Sequence, residues 1–239
     1  MAANLRVRLA RMLVQGAACL AAVMVAHPAK ADWMLLGGGE AVFDGRFAQL
    51  TALIPFSGQL GSGFVHRYSV SYIEYEYPLD EETVEATSWA GSVALGYQIP
   101  IPDGWLGLAV GAAYRDTDFE PEQPDNRQQG THIIAQIDLD AGLIHANSWL
   151  YATSISYTPR YRAYWGRGRA LRRTGPRSFL GPEIVAHGDR EYNAQQLGVA
   201  LQLNKVAGPL DIVIKAGGKR IQDGDSGAYG GIEFLRHFH

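Results

Sequence analysis

Apolar residues alternate with polar or small residues through most of the chain after residue 31. In residues 196–204, four aliphatic side chains fall on one face, and Gln, Gly, Ala and Asn fall on the other. A period of two is typical of β-strands with one apolar face. Turn residues such as Asp44-Gly45 and Asp103-Gly104 separate the runs. Eleven runs can be recognised, at 33–43, 47–54, 64–77, 84–98, 105–114, 132–141, 149–157, 178–187, 196–204, 210–220 and 228–238.

The polar faces of these runs indicate what surrounds the apolar faces. They consist mostly of Gly, Ala, Ser and Gln with few Lys or Glu, as in a barrel lumen, whereas a soluble sandwich exposes charge to water. Most runs also reach the roughly nine to eleven residues that cross a bilayer. We therefore predict an all-β fold: an antiparallel, up-and-down transmembrane β-barrel of the outer membrane. Because bacterial barrels have an even number of strands, we expect ten or twelve. A secreted or periplasmic β-sandwich or lipocalin-like barrel is the alternative.

Aromatic residues and connection lengths add detail to the predicted barrel. Tyr and Trp at the ends of runs are typical of the two interfacial girdles of a membrane protein. Short turns alternate with longer polar segments, at 115–130 and 158–177, which predicts short periplasmic turns and long external loops. The aromatic residues expected in the girdles are Trp33, Tyr77, Trp105, Tyr114, Trp149 and Tyr157.

The first 31 residues have the features of a Sec-type signal peptide. A basic start precedes an apolar run at 12–26, and small residues stand at the last and third-last positions of the segment, which ends at Ala31. The apolar run is shorter than the ~20 residues of a transmembrane helix, which disfavours a membrane anchor. Lipidation at Cys19 is also disfavoured, because Gly16 stands where a lipobox has Leu. We expect cleavage after Ala31, which leaves 32–239 as a single barrel domain.

Composition and charge narrow the classes of function. With 47% hydrophobic and 19% charged residues, the chain does not belong to the disordered class. The only cysteine, Cys19, lies in the predicted signal peptide, so the mature chain has neither a disulfide nor a thiol nucleophile. The formal net charge of −3 becomes more negative when the basic signal peptide is removed, which argues against nucleic acid as a partner.

A basic segment within 158–177 is the most distinctive cluster of charge. Aromatic residues interleave its arginines, and no acidic residue accompanies them. On an external loop it would bind an anionic surface such as the phosphates of lipopolysaccharide, through bidentate guanidinium contacts. The alternative is a strand extension with solvated arginines. The residues concerned are Arg160, Arg162, Trp165, Arg167, Arg169, Arg172 and Arg173.

Reactive residues elsewhere predict no catalytic, metal or cofactor site. The histidines and serines form no recognisable dyad along a strand face. Gly37-Gly38-Gly39 lies inside a predicted strand and precedes no helix that could bind phosphate. Asp138 and Asp140 share a face with Gln136 and His132, an arrangement that describes a solvated lumen more often than a metal site.

Short motifs in both halves of the chain resemble one family. The motifs are Gly63-Phe64-Val65-His66-Arg67, Gly96-Tyr97-Gln98, Leu180-Gly181-Pro182-Glu183, His187-Gly188-Asp189, Glu191-Tyr192-Asn193 and Gly227-Ala228-Tyr229-Gly230. In their order and spacing they are similar to the cellulose biosynthesis protein BcsS family of alphaproteobacteria.

The resemblance implies an exported outer-membrane accessory of cellulose production. It supplies no catalytic residues, and it does not include the basic segment. Cellulose and components of the cellulose synthase complex are the partners it implies, beside the lipid and lipopolysaccharide around any outer-membrane barrel. A neutral glucan would be contacted by aromatic faces and polar side chains, and we expect a lumen lined by Gln136, Asp138, Asp140 and Glu183 to provide such contacts.

The leading hypothesis is a non-enzymatic outer-membrane β-barrel that assists cellulose biosynthesis or export, without a cofactor. One alternative is a barrel enzyme that modifies lipid A or phospholipid, suggested by the arginine-rich segment and the scattered His and Ser residues. Another is a surface adhesin or structural barrel that binds external partners through loops at 115–130 and 158–177.

The predicted signal peptide can be tested directly. The protein purified from the outer membrane of its host should begin at Asp32, because the small residues before that position fit the signal peptidase. Intact-mass measurement with N-terminal sequencing identifies the first residue of the mature chain. A mature chain that retains Met1, or carries lipid on Cys19, would contradict this assignment.

Overall fold

A computed structural model describes most of the chain beyond the predicted signal peptide. The described residues are 32–56, 58–79, 82–123, 126–145, 148–190, 192–222 and 225–238. Residues 1–31, and the predicted cleavage site with them, lie outside the described residues.

The described residues form a closed antiparallel barrel of twelve strands, in which each strand pairs with its neighbours in sequence and β1 pairs with β12. The fold class is confirmed, with the larger of the two predicted strand numbers. The strands are β1 (Trp33–Val42), β2 (Gly45–Pro55), β3 (Gly63–Leu79), β4 (Glu82–Ile101), β5 (Gly104–Glu120), β6 (Gly130–His145), β7 (Trp149–Thr158), β8 (Ala163–Arg173), β9 (Ser178–Gly188), β10 (Asn193–Ala207), β11 (Leu210–Ile221) and β12 (Ser226–Phe238).

Strand β8 is the one that the eleven apolar runs omit. The expectation of a long external loop at 158–177 is wrong, and the alternative of a strand extension is correct, because Ala163–Arg173 pairs with both β7 and β9. The inward positions of β8 carry Arg167 and Arg169, while glycines occupy outward positions, so the apolar alternation is missing. The expected loop at 115–130 is shortened in the same way, because residues 115–120 belong to β5.

The outer face of the barrel is apolar and the inner face is polar. Ile133 and Leu197 point outward and are 73% and 67% exposed, whereas Asp138 and Glu183 point inward and are 3% and 0% exposed. This is the reverse of a soluble protein, and it suits a surrounding lipid solvent. In the part of the chain that the structure describes, no helix is long and apolar enough to span a membrane.

Aromatic girdles border this apolar belt. We call the end of the barrel that holds Trp33 and Phe238 the terminal end, and the opposite end the distal end. Trp33 stacks on Phe238 with ring centroids 3.7 Å apart, and at the other border Tyr72 contacts Trp89 at 4.6 Å. Tyr114, at 52% exposure, lies on the outward face of β5 towards the distal end.

Two of the six aromatic residues expected in the girdles face the lumen instead. Trp105 lies on the inward face of β5, and Tyr77 packs near Val84 and Phe119 in an inward cluster at the distal end. Both have odd residue numbers. In β3 and β5 the small residues occupy the same odd-numbered positions, and this face points into the lumen. Proximity to a strand end therefore misled the assignment, whereas the period-two pattern indicated the correct face.

A charged substitution tests which face meets lipid. Val110→Arg would place a guanidinium in the middle of the outward belt, so we expect it to lower the free energy of unfolding by about 2–4 kcal/mol. Asp118→Arg is the matched control, because Asp118 lies on the same face of β5 but beyond the distal girdle. Urea unfolding in lipid vesicles measures the free energy of unfolding of both variants. Equal effects of the two substitutions would contradict the proposed position of the bilayer.

Candidate functional site: the lumen of the barrel

Six charged side chains meet in the middle of the lumen. We call them the lumen ion network: three acids and three bases from five strands, each at an inward position of its strand. Together they carry no net formal charge. The members are Glu40 of β1, Arg167 and Arg169 of β8, Glu183 of β9, Lys215 of β11 and Glu233 of β12.

Glu233 is the shared acceptor of this network. The guanidinium of Arg169 donates from both terminal nitrogens to the Glu233 carboxylate, with Nη1···Oε2 at 2.9 Å and Nη2···Oε1 at 2.8 Å. Arg167 Nη1 and Lys215 Nζ each lie 3.0 Å from Oε1 of the same carboxylate. One carboxylate therefore binds three cations, one of them in the bidentate geometry that favours arginine.

The other two acids complete the network. Arg169 Nε donates to Glu183, whose side chain is fully buried. Lys215 Nζ lies 2.6 Å from Glu40 Oε2, and Gln196 Nε2 donates to Glu40 Oε1 at 2.7 Å. Every charge in the network thus has an opposite charge in contact, which is the condition under which buried ions are tolerated.

These contacts cross the interior of the barrel. Strands β8 and β12 are separated by three other strands in the sheet, so the Arg169–Glu233 pair spans a chord of the lumen. The side chains of Arg169, Glu183 and Lys215 are 5%, 0% and 6% exposed, which shows that little space remains around them. The network therefore fills the lumen at this level and ties one side of the barrel to the other.

A second polar group lies nearer the terminal end. Arg67 of β3 reaches Asp140 of β6, with Nη1 2.5 Å from Oδ2, and Ser154 of β7 donates to the other carboxylate oxygen. Next to it, Gln136 donates to Asp138 at 2.8 Å. Strands β3 and β6 have two strands between them, so this pair also crosses part of the lumen.

The four residues expected to line the lumen do face it. The structure brings together Gln136 and Asp138, and it places Asp140 with Arg67. Glu183 belongs to the lumen ion network and pairs with Arg169. Contact of these four residues with a glucan stays a prediction.

The basic segment does not form one anionic-binding surface. Arg167 and Arg169 are inside the barrel, and Trp165 lies on the same inward face of β8. Arg160 lies in the turn before β8 at the distal end, and Arg162 shares that turn with a φ of 53°. Arg172 and Arg173 are exposed at the terminal end, where the Arg173 guanidinium lies 4.9 Å from the ring centroid of Phe179. The expectation of a single loop surface is therefore wrong, because strand formation separates these residues along and across β8.

Sequence reasoning missed the basic and acidic partners that complete the network. Glu40 and Glu233 are the only acidic or basic residues at the inward positions of β1 and β12, apart from a histidine at position 237, whereas Lys215 shares its face of β11 with Asp211 and Lys219. A lone charge on one face of an alternating strand is the signal that could have identified the two glutamates. In a barrel such a charge needs an opposite charge across the lumen. The sequence does not reveal which residue supplies that opposite charge.

The distal mouth carries a smaller polar group. Lys219 Nζ lies 2.7 Å from Asp44 Oδ2, and its ammonium lies 5.6 Å from the ring centroid of Tyr192. Burial raises the pKa of Tyr192, which lies between β9 and β10, well above the usual value for tyrosine. Across the mouth, Gln128 Nε2 donates to Asp189 at 2.8 Å and links the loop after β5 to the loop after β9.

Metal-ligating groups do not converge in the part of the chain that the structure describes: no three His, Cys, Asp or Glu side chains there are placed to hold a metal ion.

Comparison with known families decides the classification. The family model described as cellulose biosynthesis protein BcsS matches residues 29–238. The chain belongs to the BcsS family. This confirms the resemblance carried by the short motifs, and it covers nearly the whole barrel. None of the curated proteins is significantly similar to this BcsS-family chain.

Solved structures with a similar fold are outer-membrane barrels. The KdgM porin is 11% identical with a TM-score of 0.51, covering 86% of this chain and 99% of its own. The COG4313 outer membrane channel from Pseudomonas putida F1 is 11% identical with a TM-score of 0.52, covering 89% and 97%. The KdgM porin in complex with disordered oligogalacturonate is 12% identical, with a TM-score of 0.51 and coverage of 86% and 99%. At these identities the likeness shows the fold alone, and that fold supports an outer-membrane location.

The role of Glu233 as shared acceptor can be tested by removing it. Glu233→Ala would leave three lumen cations without their common partner, so we expect a loss of about 3–5 kcal/mol in the free energy of unfolding. The control is Glu74→Ala, which removes the contact with Arg46, whose side chain is 64% exposed, and the hydrogen bond from Tyr72, and should cost only about 1 kcal/mol. Urea unfolding in lipid vesicles measures the free energy of unfolding of each variant. Similar losses for the two variants would contradict the network.

Proposed function

We propose that this protein is a non-enzymatic outer-membrane accessory of cellulose biosynthesis or export. The observation that carries the proposal is the match to the BcsS family across residues 29–238, in a chain whose strands present an apolar belt to the outside of a closed barrel. Family membership supplies the process, and the fold supplies the location from which the protein would act.

Orientation follows from the even number of strands. Because Trp33 and Phe238 lie at the same end of the barrel, both ends of the described chain are on one side of the membrane. A chain exported by a signal peptide reaches the outer membrane from the periplasm, so the terminal end faces the periplasm. The distal end, with residues 121–123 and 126–129 between β5 and β6, then faces the outside of the cell.

The state of the lumen carboxylates supports a non-enzymatic role. Glu40, Glu183 and Glu233 each contact at least one cation, and these contacts are buried in the centre of the barrel. General acid–base catalysis needs a group that can reach its substrate and exchange a proton with it. The network is better suited to holding the barrel in shape and defining the polarity of its interior.

The balance of charge in the lumen supports a neutral polymer as the partner. The lumen ion network has no net formal charge, and neither has the Arg67–Asp140 pair. Cellulose is an uncharged β-glucan, and a lumen interior without net charge offers no attraction to an acidic polymer in its place. The KdgM porin, which shares the fold, has been solved in complex with disordered oligogalacturonate, so a saccharide chain is a ligand known for this architecture.

Gene deletion tests the proposed function. We expect a deletion strain to lose most of its cellulose-dependent binding of Congo red, while its lipid A and phospholipid profiles stay unchanged. The gene supplied in trans should restore dye binding. Normal cellulose output with an altered lipid profile would contradict the proposal and favour a lipid-modifying enzyme.

A further inference from the structure

One tryptophan lies inside the barrel, close to the terminal end, in a space that glycines create. Trp105 stands opposite Gly142 in the register of β5 with β6. A Cβ on Gly142 would lie 3.3 Å from the indole Nε1, and a Cβ on Gly107 would lie 3.2 Å from Cζ3 of the same ring. The indole therefore spreads over two bare positions of the barrel wall. Gly61, between β2 and β3, also lies beside this side chain, since a Cβ there would be 3.7 Å from Trp105 Cβ, and the tryptophan is left partly exposed.

Polar groups border this aromatic surface. Trp105, Gln98, Arg67 and Asp140 line one pocket, together with Tyr97 and small and aliphatic residues of β2 to β5. Arg67 and Asp140 form the ion pair described above, and Ser154 donates to the carboxylate. Arg67 Nε is buried and has no hydrogen-bond partner among the described residues, so one strong donor of the pocket wall is unsatisfied.

The loop between β2 and β3 closes one side of the same pocket. The backbone N–H of Gly61 donates to Gln98 Oε1 at 2.7 Å, and Leu60 packs on an inward cluster of Met34, Leu53 and Val65. These contacts hold Gln98 in place and narrow the terminal mouth of the lumen. One polar side chain of the pocket wall is thus positioned by a backbone hydrogen bond from the β2–β3 connection.

The combination of groups selects a class of ligand. One face of a β-linked glucose ring presents axial C–H groups to an aromatic plane, while its hydroxyl edge seeks donors and acceptors. A flat indole beside an amide, a guanidinium and a carboxylate meets both needs. Because Arg67 and Asp140 neutralise each other, the pocket favours an uncharged sugar over an acidic one.

We propose that this pocket is a binding subsite for a glucose ring of a β-glucan chain, with Trp105 as the stacking platform and Arg67, Gln98 and Asp140 as hydrogen-bonding groups. The inference rests on the proposed function for the identity of the polymer. It adds a location, since the subsite lies at the periplasmic mouth, where a chain would first meet the barrel.

Binding of cellohexaose to the purified barrel in detergent tests the subsite. Calorimetric titration of the wild-type protein should show binding of cellohexaose and much weaker binding of maltohexaose or oligogalacturonate. Trp105→Ala should weaken cellohexaose binding about tenfold or more, because it removes the stacking surface. Trp105→Phe, which keeps a smaller aromatic face, should retain part of the affinity and reports on the platform if the alanine variant fails to fold.

The matched control is Trp149→Ala. Trp149 also lies near the terminal end, but it stacks on Tyr151 at a centroid distance of 5.9 Å on the outside of the barrel. Its substitution should leave affinity for cellohexaose unchanged. Equal affinity of Trp105→Ala and wild type, or no binding of cellohexaose by the wild type, would overturn the subsite.

The two proposals fail in different ways. If deletion abolishes cellulose-dependent dye binding while the purified barrel does not bind cellohexaose, the subsite is wrong and the cellulose function stands. If the barrel binds cellohexaose through Trp105 but the deletion strain makes normal cellulose, the subsite stands and the proposed function is wrong.

Discussion

Closure of the sheet by the pairing of β1 with β12 is the constraint on which the rest of this structure depends. Lipid offers no hydrogen-bond partner to the backbone, so every strand that crosses it must pair on both sides. Register pairs from Trp33–Phe238 to Val42–Tyr229 provide this for the two terminal strands. Once the sheet is closed, one face of each strand meets lipid and the other is confined to a narrow interior.

Confinement explains the polar interior. A twelve-stranded barrel turns its inward side chains towards one another, and the charges among them are removed from bulk water. Burial of an unpaired charge costs several kcal/mol, so each must find an opposite charge. The lumen ion network meets this need with three acids and three bases, and it joins strands that are distant in the sheet. The same confinement lets glycines on β5 and β6 create the space that the Trp105 indole occupies.

Sequence patterns predicted the fold well where strands alternate between apolar and small residues. They predicted eleven of the twelve strands, and they indicated the lipid-facing side of β5 and β10. They failed at β8, because its inward face carries arginines and its outward face carries glycines, so neither face has the expected character. They also misplaced Trp105, because an aromatic residue at a strand end can face lipid or lumen, and only the period-two face distinguishes the two.

Residues of the lumen were predictable in part. Asp138, Asp140 and Glu183 were expected inside because they lie on polar faces of alternating strands. Their partners could not be assigned, since a pair such as Arg169–Glu233 joins residues 64 positions apart across the barrel. Such pairing depends on strand order, stagger and diameter, which a single sequence does not encode in any short pattern. The family match adds the process but not the ligand contacts.

The central claim is that the chain forms a closed barrel embedded in the outer membrane, and one experiment tests it most directly. Outer membranes of the native host are isolated, extracted with detergent, and run on a denaturing gel with and without boiling. A closed barrel predicts that the protein is found in this fraction and migrates faster when it is not boiled. A protein that is soluble in the periplasm without detergent and shows no heat-dependent shift would contradict the account.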